Sequence, residues 1–117
     1  MPQTERDAAY LYDIVSTGGE LASLLTGISV HRYLETRALQ LATERAIEII
    51  GEATRRLSEG LKQEVPDVPW QRIIAQRNVI AHEYGEIRQE RIWAVATVEI
   101  PKLVARLEPL LPPSPTS

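Results

Sequence analysis

The sequence predicts an all-α protein, a four- to five-helix antiparallel bundle, and three observations predict it. The 117 residues are dense in Leu, Ala, Ile, Glu and Arg, and Gly and Pro fall where they leave helical stretches of ten or more residues between them. The longest such stretch repeats its apolar positions every three to four residues, the period of a helix with one buried face. A chain of this length fits one domain, expected over residues 1–111, and leaves no room for a separate cofactor domain. No internal repeat is visible. The tail over residues 112–117, Pro-Pro-Ser-Pro-Thr-Ser, cannot build a packed element and is expected to be disordered.

The first helix is expected to begin near Thr4, which with Asp7 three residues later resembles a capping box, and to carry Ala8, Leu11, Ile14 and Val15 on one face. Gly18-Gly19 weakens it. Because Leu21, Ala22, Leu24 and Leu25 resume the pattern, either one helix bends through the glycines or two short helices meet there, and Gly27 ends the element. The strongest helix is predicted from Thr36 to about Gln63, roughly 40 Å long at 1.5 Å per residue. Its apolar face is Leu39, Ala42, Ala46, Ile49, Ile50, Ala53 and Leu57, with Glu44, Arg45, Glu48, Glu52, Arg55, Arg56 and Glu59 opposite.

Val65-Pro66-Asp67-Val68-Pro69 breaks that helix, and Pro69 suits the first turn of the next, predicted from Trp70 to about Tyr84 with Gly85 as its C-terminal cap. A last helix is expected from about Gln89 to Leu110, with a kink or interruption at Pro101.

Composition removes several classes of function. There is no cysteine, so disulfides, thiol nucleophiles, iron–sulfur clusters and cysteine-ligated zinc are excluded. The N-terminus lacks a basic region followed by an apolar run, and no stretch reaches bilayer length, so the expectation is a soluble protein of the reducing cytoplasm. A net charge of −3 and a pI near 5.4 disfavour strong nonspecific binding to polyanions. With no Phe, four Tyr and two Trp, a surface that stacks several bases is not expected either. Any contact with RNA must be local or be assembled by oligomerisation.

The chemistry concentrates between Trp70 and Tyr84. On a helical wheel Trp70, Ile73, Ile74, Ile80 and Ala81 form an apolar stripe with Arg77 in its middle. A guanidinium there must pair with a carboxylate, face a second subunit or open onto a pocket, since burying it alone costs several kcal/mol. Tyr84 lies seven residues further along the stripe, and His82 shares a face with Asn78. A histidine in the last turn of a helix feels the negative end of the dipole, which favours the imidazolium.

Arg77, Asn78, His82 and Tyr84 thus offer an anion clamp, a hydrogen-bonding amide, an acid or base, and a phenol. Such a set suits metal-free cleavage of RNA, in which the ribose 2′-hydroxyl attacks phosphorus, histidine moves protons and arginine stabilises the added phosphate charge. Metal chemistry has little support, because His31 and His82 are the only histidines and His82-Glu83 is not followed by the second histidine of a zinc-protease motif. Spacing alone leaves a second reading open, in which Arg77 is a structural ion-pair partner, His82 a helix-end residue and Tyr84 a half-buried packing residue.

The run Arg77-Asn78-Val79-Ile80-Ala81-His82-Glu83-Tyr84 resembles the signature of the HEPN superfamily: arginine, four residues, histidine, any residue, tyrosine. The stretches 46–53 and 65–70 resemble two others typical of HepT-like proteins in the same order, so the likeness spans about Arg6 to Leu111. The resemblance implies a helical bundle forming a two-fold homodimer, with the arginine–histidine motifs of both subunits meeting in a cleft where RNA, such as transfer or messenger RNA, is cut without metal or other cofactor. It further implies a type VII-like toxin–antitoxin pair, in which an MNT-type nucleotidyltransferase antitoxin adenylylates the tyrosine matching Tyr84. Bulk and negative charge would then sit beside the clamp.

Catalysis is therefore expected to rest on Arg77 and His82, with Asn78 in support and Tyr84 as the modified residue. Many HEPN proteins are noncatalytic, so the alternative from the same resemblance is a dimeric binding partner or scaffold for the nucleotidyltransferase. Glu48, Glu52 and Arg72 are candidates for the rim of the site, the two glutamates as partners of Arg77 or of another protein. Their commoner fate is a solvated face shared with Arg45, Arg55 and Arg56. Arg88 and Arg91 could widen the rim in the same way, while Trp70 and Trp93 read as core or interface anchors and His31 as a surface residue.

Overall fold

A computed structural model describes residues 2–75 and 89–112, with side chains from residue 5 onward. Every regular element among the described residues is helical. Helix α1 spans Pro2–Leu25, α2 Val30–Glu35, α3 Arg37–Arg56 and α4 Glu59–Glu64. Helix α5 is described over 70–75. The C-terminal rod joins α6, Gln89–Ala94, through a π-helical turn at Val95–Glu99 to α7, Ile100–Leu107, and closes with a 3₁₀ turn at Glu108–Leu110. None of the described helices is long and apolar enough to cross a membrane.

The glycine pair does not divide α1, which runs through it as one helix. Asp7, Leu11, Ile14, Gly18, Leu21 and Leu25 are its buried positions among the described side chains, three or four apart, so Gly18 stands within the seam. A β-carbon at Gly18 would overlap Cγ2 of Val104 and lie 3.5 Å from Cγ2 of Ile100, so the missing side chain is what lets α7 approach. Gly27 ends the element as expected, at φ 76°, a left-handed conformation that costs other residues more.

The expected capping box at Thr4 is not the start of α1, which begins at Pro2. Asp7 instead caps a helix distant in sequence. Its buried carboxylate accepts hydrogen bonds from the backbone N–H of Ser58 at 2.8 Å and from the Ser58 hydroxyl at 2.6 Å. Ser58 Oγ in turn accepts from the N–H of Leu61, the N-cap bond of α4.

This contact explains why the long helix predicted from Thr36 to Gln63 is two helices. Leu57 leaves helical geometry at ψ 145°, Ser58 caps a new start, and α3 is 20 residues, about 30 Å, long. The short helix α2, capped by Ser29, was not legible either. The buried seam of α3 also differs from the predicted one. It runs through Gln40, Thr43, Glu44, Ile47, Ile50, Gly51, Ala53, Thr54 and Leu57, whereas Ala42 is exposed and Leu39, Ala46 and Ile49 are half-buried. Of the polar residues in the N-terminal half of this seam, Gln40 finds its acceptors on α2 and Glu44 a donor on α6.

Pro101 interrupts the last helix as expected, by a specific device. Proline has no N–H to give and its ring crowds the carbonyl four residues back. The chain widens into one π turn just before it, in which the N–H of Ile100 bonds to the carbonyl of Val95, five residues earlier. The core gathers Leu11, Ile14 and Leu21 of α1, Tyr33 of α2, Ile47 and Ile50 of α3, Ile73 of α5, and Ile92, Val95, Ile100, Leu103 and Leu107 of the C-terminal rod. Leu111 packs against this core, and residues 113–117 of the predicted tail lie outside the described residues.

Candidate functional site

The segment 76–88 carries Arg77, Asn78, His82 and Tyr84, and all four lie outside the described residues, as does Arg88. The described structure on either side of that segment fixes where its two ends begin.

On the incoming side, the indole N–H of Trp70 is shared between the carbonyls of Lys62 and Val65 at 3.1 and 3.0 Å, which locks the first residue of α5 onto the end of α4. The carbonyl of Pro69, one position before the helix, accepts the N–H of Ile73. Trp70 and Ile73 are buried and Ile74 half-buried, so the first turn of the predicted apolar stripe does face the core.

Two ion pairs then tie this region to the C-terminal rod. Arg72 meets Glu99 at 2.9 Å, and Arg106 grips Asp67 with two hydrogen bonds of 2.7 and 3.1 Å, which hold the Asp67 carboxyl below its ordinary range. Between the pairs lies a groove of about 320 Å³ with Val68, Ile73 and Leu103 among its lining residues.

On the outgoing side, Gln89 opens α6 with both ends of its amide engaged. Its Oε1 accepts from the Tyr33 hydroxyl at 2.6 Å, and its Nε2 donates to Oε2 of Glu44 at 2.6 Å. Glu44 is buried, and its second partner is Arg37 at 3.3 Å, which also donates to Gln40. Gln40 donates in turn to the carbonyls of Tyr33 and Leu34, closing a polar network across α2, α3 and α6. Tyr33 is fully buried and its ring lies 5.1 Å from that of Trp93 at a tilt of 43°. Burial, and then the charge of Glu44, push its phenol up to about 12.

The three rim candidates stand apart in role. Arg72 is exposed and bound to Glu99. Glu52 accepts from Arg55 at 2.8 Å and from Arg56 at 2.7 Å, and those hydrogen bonds pull its carboxyl down to about 2. Glu48 is half-buried on α3. His31 pairs with Glu35 at the surface, as a residue outside the site should. Among the described residues no group of three or more His, Asp or Glu is placed to hold a metal ion.

Sequence reasoning missed the Tyr33–Gln89–Glu44–Arg37 network, placing Glu44 on the solvated face of α3. A signal was present. Gln40, Thr43, Glu44, Ile47 and Gly51 repeat at three and four, a seam of its own whose polar members conceal it from an apolar count.

The HepT-like ribonuclease model matches residues 17–110, four-fifths of the chain and all of the segment 76–88. The chain belongs to the HepT-like ribonuclease family. Three curated relatives agree with it in length as well as sequence. A Methanocaldococcus jannaschii protein named "Putative RNase" is 29% identical over 106 residues, covering 90% of this chain and 97% of its own. A Caldanaerobacter subterraneus protein of the same designation is 31% identical over 102 residues, covering 87% and 91%. The "Probable ribonuclease HepT" of Thermococcus cleftensis is 28% identical over 110 residues, covering 94% and 98%. No solved structure matches the chain. The all-α arrangement of the described residues is that of a HepT-like, HEPN-type domain.

Proposed function

We propose that this HepT-like protein is a metal-independent endoribonuclease that acts as the toxin of a toxin–antitoxin pair in the cytoplasm. The observation that carries the reading is the family match across residues 17–110, which encloses the complete run Arg77-Asn78-Val79-Ile80-Ala81-His82-Glu83-Tyr84. In this reading Arg77 binds the scissile phosphate and stabilises its added charge, and His82 transfers protons to and from the attacking 2′-hydroxyl and the leaving oxygen. Asn78 supports the geometry. The working unit is a two-fold homodimer that brings two such motifs together and so concentrates positive charge on an acidic chain.

Tyr84 is the residue through which a partner nucleotidyltransferase silences the enzyme. Its phenol stands two residues from His82, and a transferred adenylyl group would place a phosphate where Arg77 could pair with it instead of with RNA.

The test is induction in cells of the wild type, His82→Ala and Arg77→Ala without a partner. Growth arrest with RNA degradation by the wild type alone supports a ribonuclease toxin. Equal behaviour of all three, with the dimers folded, would leave a noncatalytic scaffold as the function.

A further inference from the structure

We propose that Glu44, acting through Gln89, is a positioning residue of the ribonuclease centre: it holds the outgoing end of the segment that carries Arg77, His82 and Tyr84. The inference rests on the ribonuclease reading above. Its own basis is the network at the start of α6.

An ionised carboxylate can only accept hydrogen bonds, so Glu44 compels Gln89 to turn its NH₂ toward α3. That orientation leaves Oε1 facing Tyr33, whose hydroxyl must then donate. Each of the two bonds is 2.6 Å long, and a single arrangement of the amide satisfies both. The backbone of Gln89 is thereby tied to α3 through Glu44 and to α2 through Tyr33. The same Tyr33 ring packs on Trp93, one turn further along α6.

Bulk stability alone does not account for this design. Only 9% of Glu44 is exposed, and its one charged partner among the described residues, Arg37, stands at 3.3 Å with most of its own side chain in solvent. A buried carboxylate with so loose a counter-ion is costly, and replacing such a buried polar set as a whole by apolar residues of similar volume is often neutral or stabilising. What an apolar residue cannot do is select one orientation of Gln89. Gln89 follows Tyr84 by five positions and His82 by seven, so the amide fixed here anchors the first described residue after the reactive stretch. Misplacing catalytic groups by about 1 Å can cost on the order of a hundredfold in rate.

Gln89→Glu would set two carboxylates against each other, and Glu44→Gln would remove the feature that orients the amide. The exchanged pair Glu44→Gln/Gln89→Glu restores it in reverse, since Gln at 44 donates to Glu at 89 and Tyr33 still donates to the other oxygen.

Full-length protein free of adenylylation is assayed on transfer RNA well below the melting temperature of each variant. Gln89→Glu is expected to lower kcat at least about tenfold with KM changed less than about threefold, and the exchange to bring kcat back within about threefold of wild type. A folded Gln89→Glu protein with wild-type kcat overturns the proposal, as does an exchange that recovers the melting temperature without recovering kcat.

Hydrogen exchange of 76–88 provides a readout independent of cleavage. It should quicken in Gln89→Glu and recover in the exchange while α1 and α3 hold their rates. If the wild type cuts no RNA, the ribonuclease reading fails and the clamp is judged by exchange alone; unchanged rates in 76–88 then refute it.

Discussion

Replacing Gly18 and Gly19 separately by alanine sets two neighbouring glycines against each other. Both lie within α1 and both gain helix propensity, about 1 kcal/mol each. Gly19 is exposed with nothing within 4 Å of a β-carbon, so Gly19→Ala should realise that gain. At Gly18 the new methyl overlaps Cγ2 of Val104, a β-branched side chain with few rotamers in a helix, and crowds Ile100 from the same side. Overpacking of this kind costs about 1–3 kcal/mol, which cancels or exceeds the propensity gain. The two variants should therefore differ by about 1–3 kcal/mol, roughly 4–12 °C in Tm for a domain of about 100 residues.

Circular dichroism melts at equal protein concentration read this directly, since Tm depends on concentration if the chain dimerises. Adding Val104→Ala should relieve the clash, making the double variant more stable than the two single effects predict. If Gly18→Ala and Gly19→Ala raise Tm by the same amount, α1 and α7 do not meet at Gly18 and the packing described for them is wrong.

Other perturbations read other parts of the chain. Asp7→Ala leaves the Ser58 hydroxyl and N–H without their acceptor beneath the start of α4, and should cost about 1–3 kcal/mol in urea unfolding. Ser58→Ala, which removes the N-cap as well as the partner of Asp7, should fall in a similar range, and the two losses should not add. The Glu52 carboxyl, lowered from 4.5 to about 2 by Arg55 and Arg56, contributes stability that is present above pH 4.5 and fades as pH falls toward 2. The wild type should thus melt slightly above Glu52→Gln at pH 6 and lose most of that margin by pH 2.5; a margin that grew on acidification would contradict the pairing.

Much of this fold is legible in residue spacing, because stripes such as Leu11, Ile14, Leu21 and Leu25 declare a buried face without reference to anything distant. Pro101 likewise announces its interruption, though not that a π turn absorbs it. What spacing conceals is polar burial and long-range capping. Asp7 looks like half of a local capping box, and only the fold brings it 51 residues along the chain to Ser58. Glu44 looks solvated because a wheel scores charge as outward, and its burial depends on Gln89, 45 residues away. The candidate chemistry was legible for a different reason: Arg77, His82 and Tyr84 lie within eight consecutive residues, so no tertiary knowledge is needed to group them.

The ribonuclease assignment is tested most directly by the ends left on cut RNA. Purified wild-type protein, shown by mass to carry no modification on Tyr84, is incubated with transfer RNA in EDTA beside His82→Ala. Cleavage by the wild type alone, leaving 2′,3′-cyclic phosphate ends, is the predicted result and requires attack by the 2′-hydroxyl with His82 in the mechanism. Intact RNA after incubation with folded, unmodified wild type, or equal cleavage by His82→Ala, would contradict it.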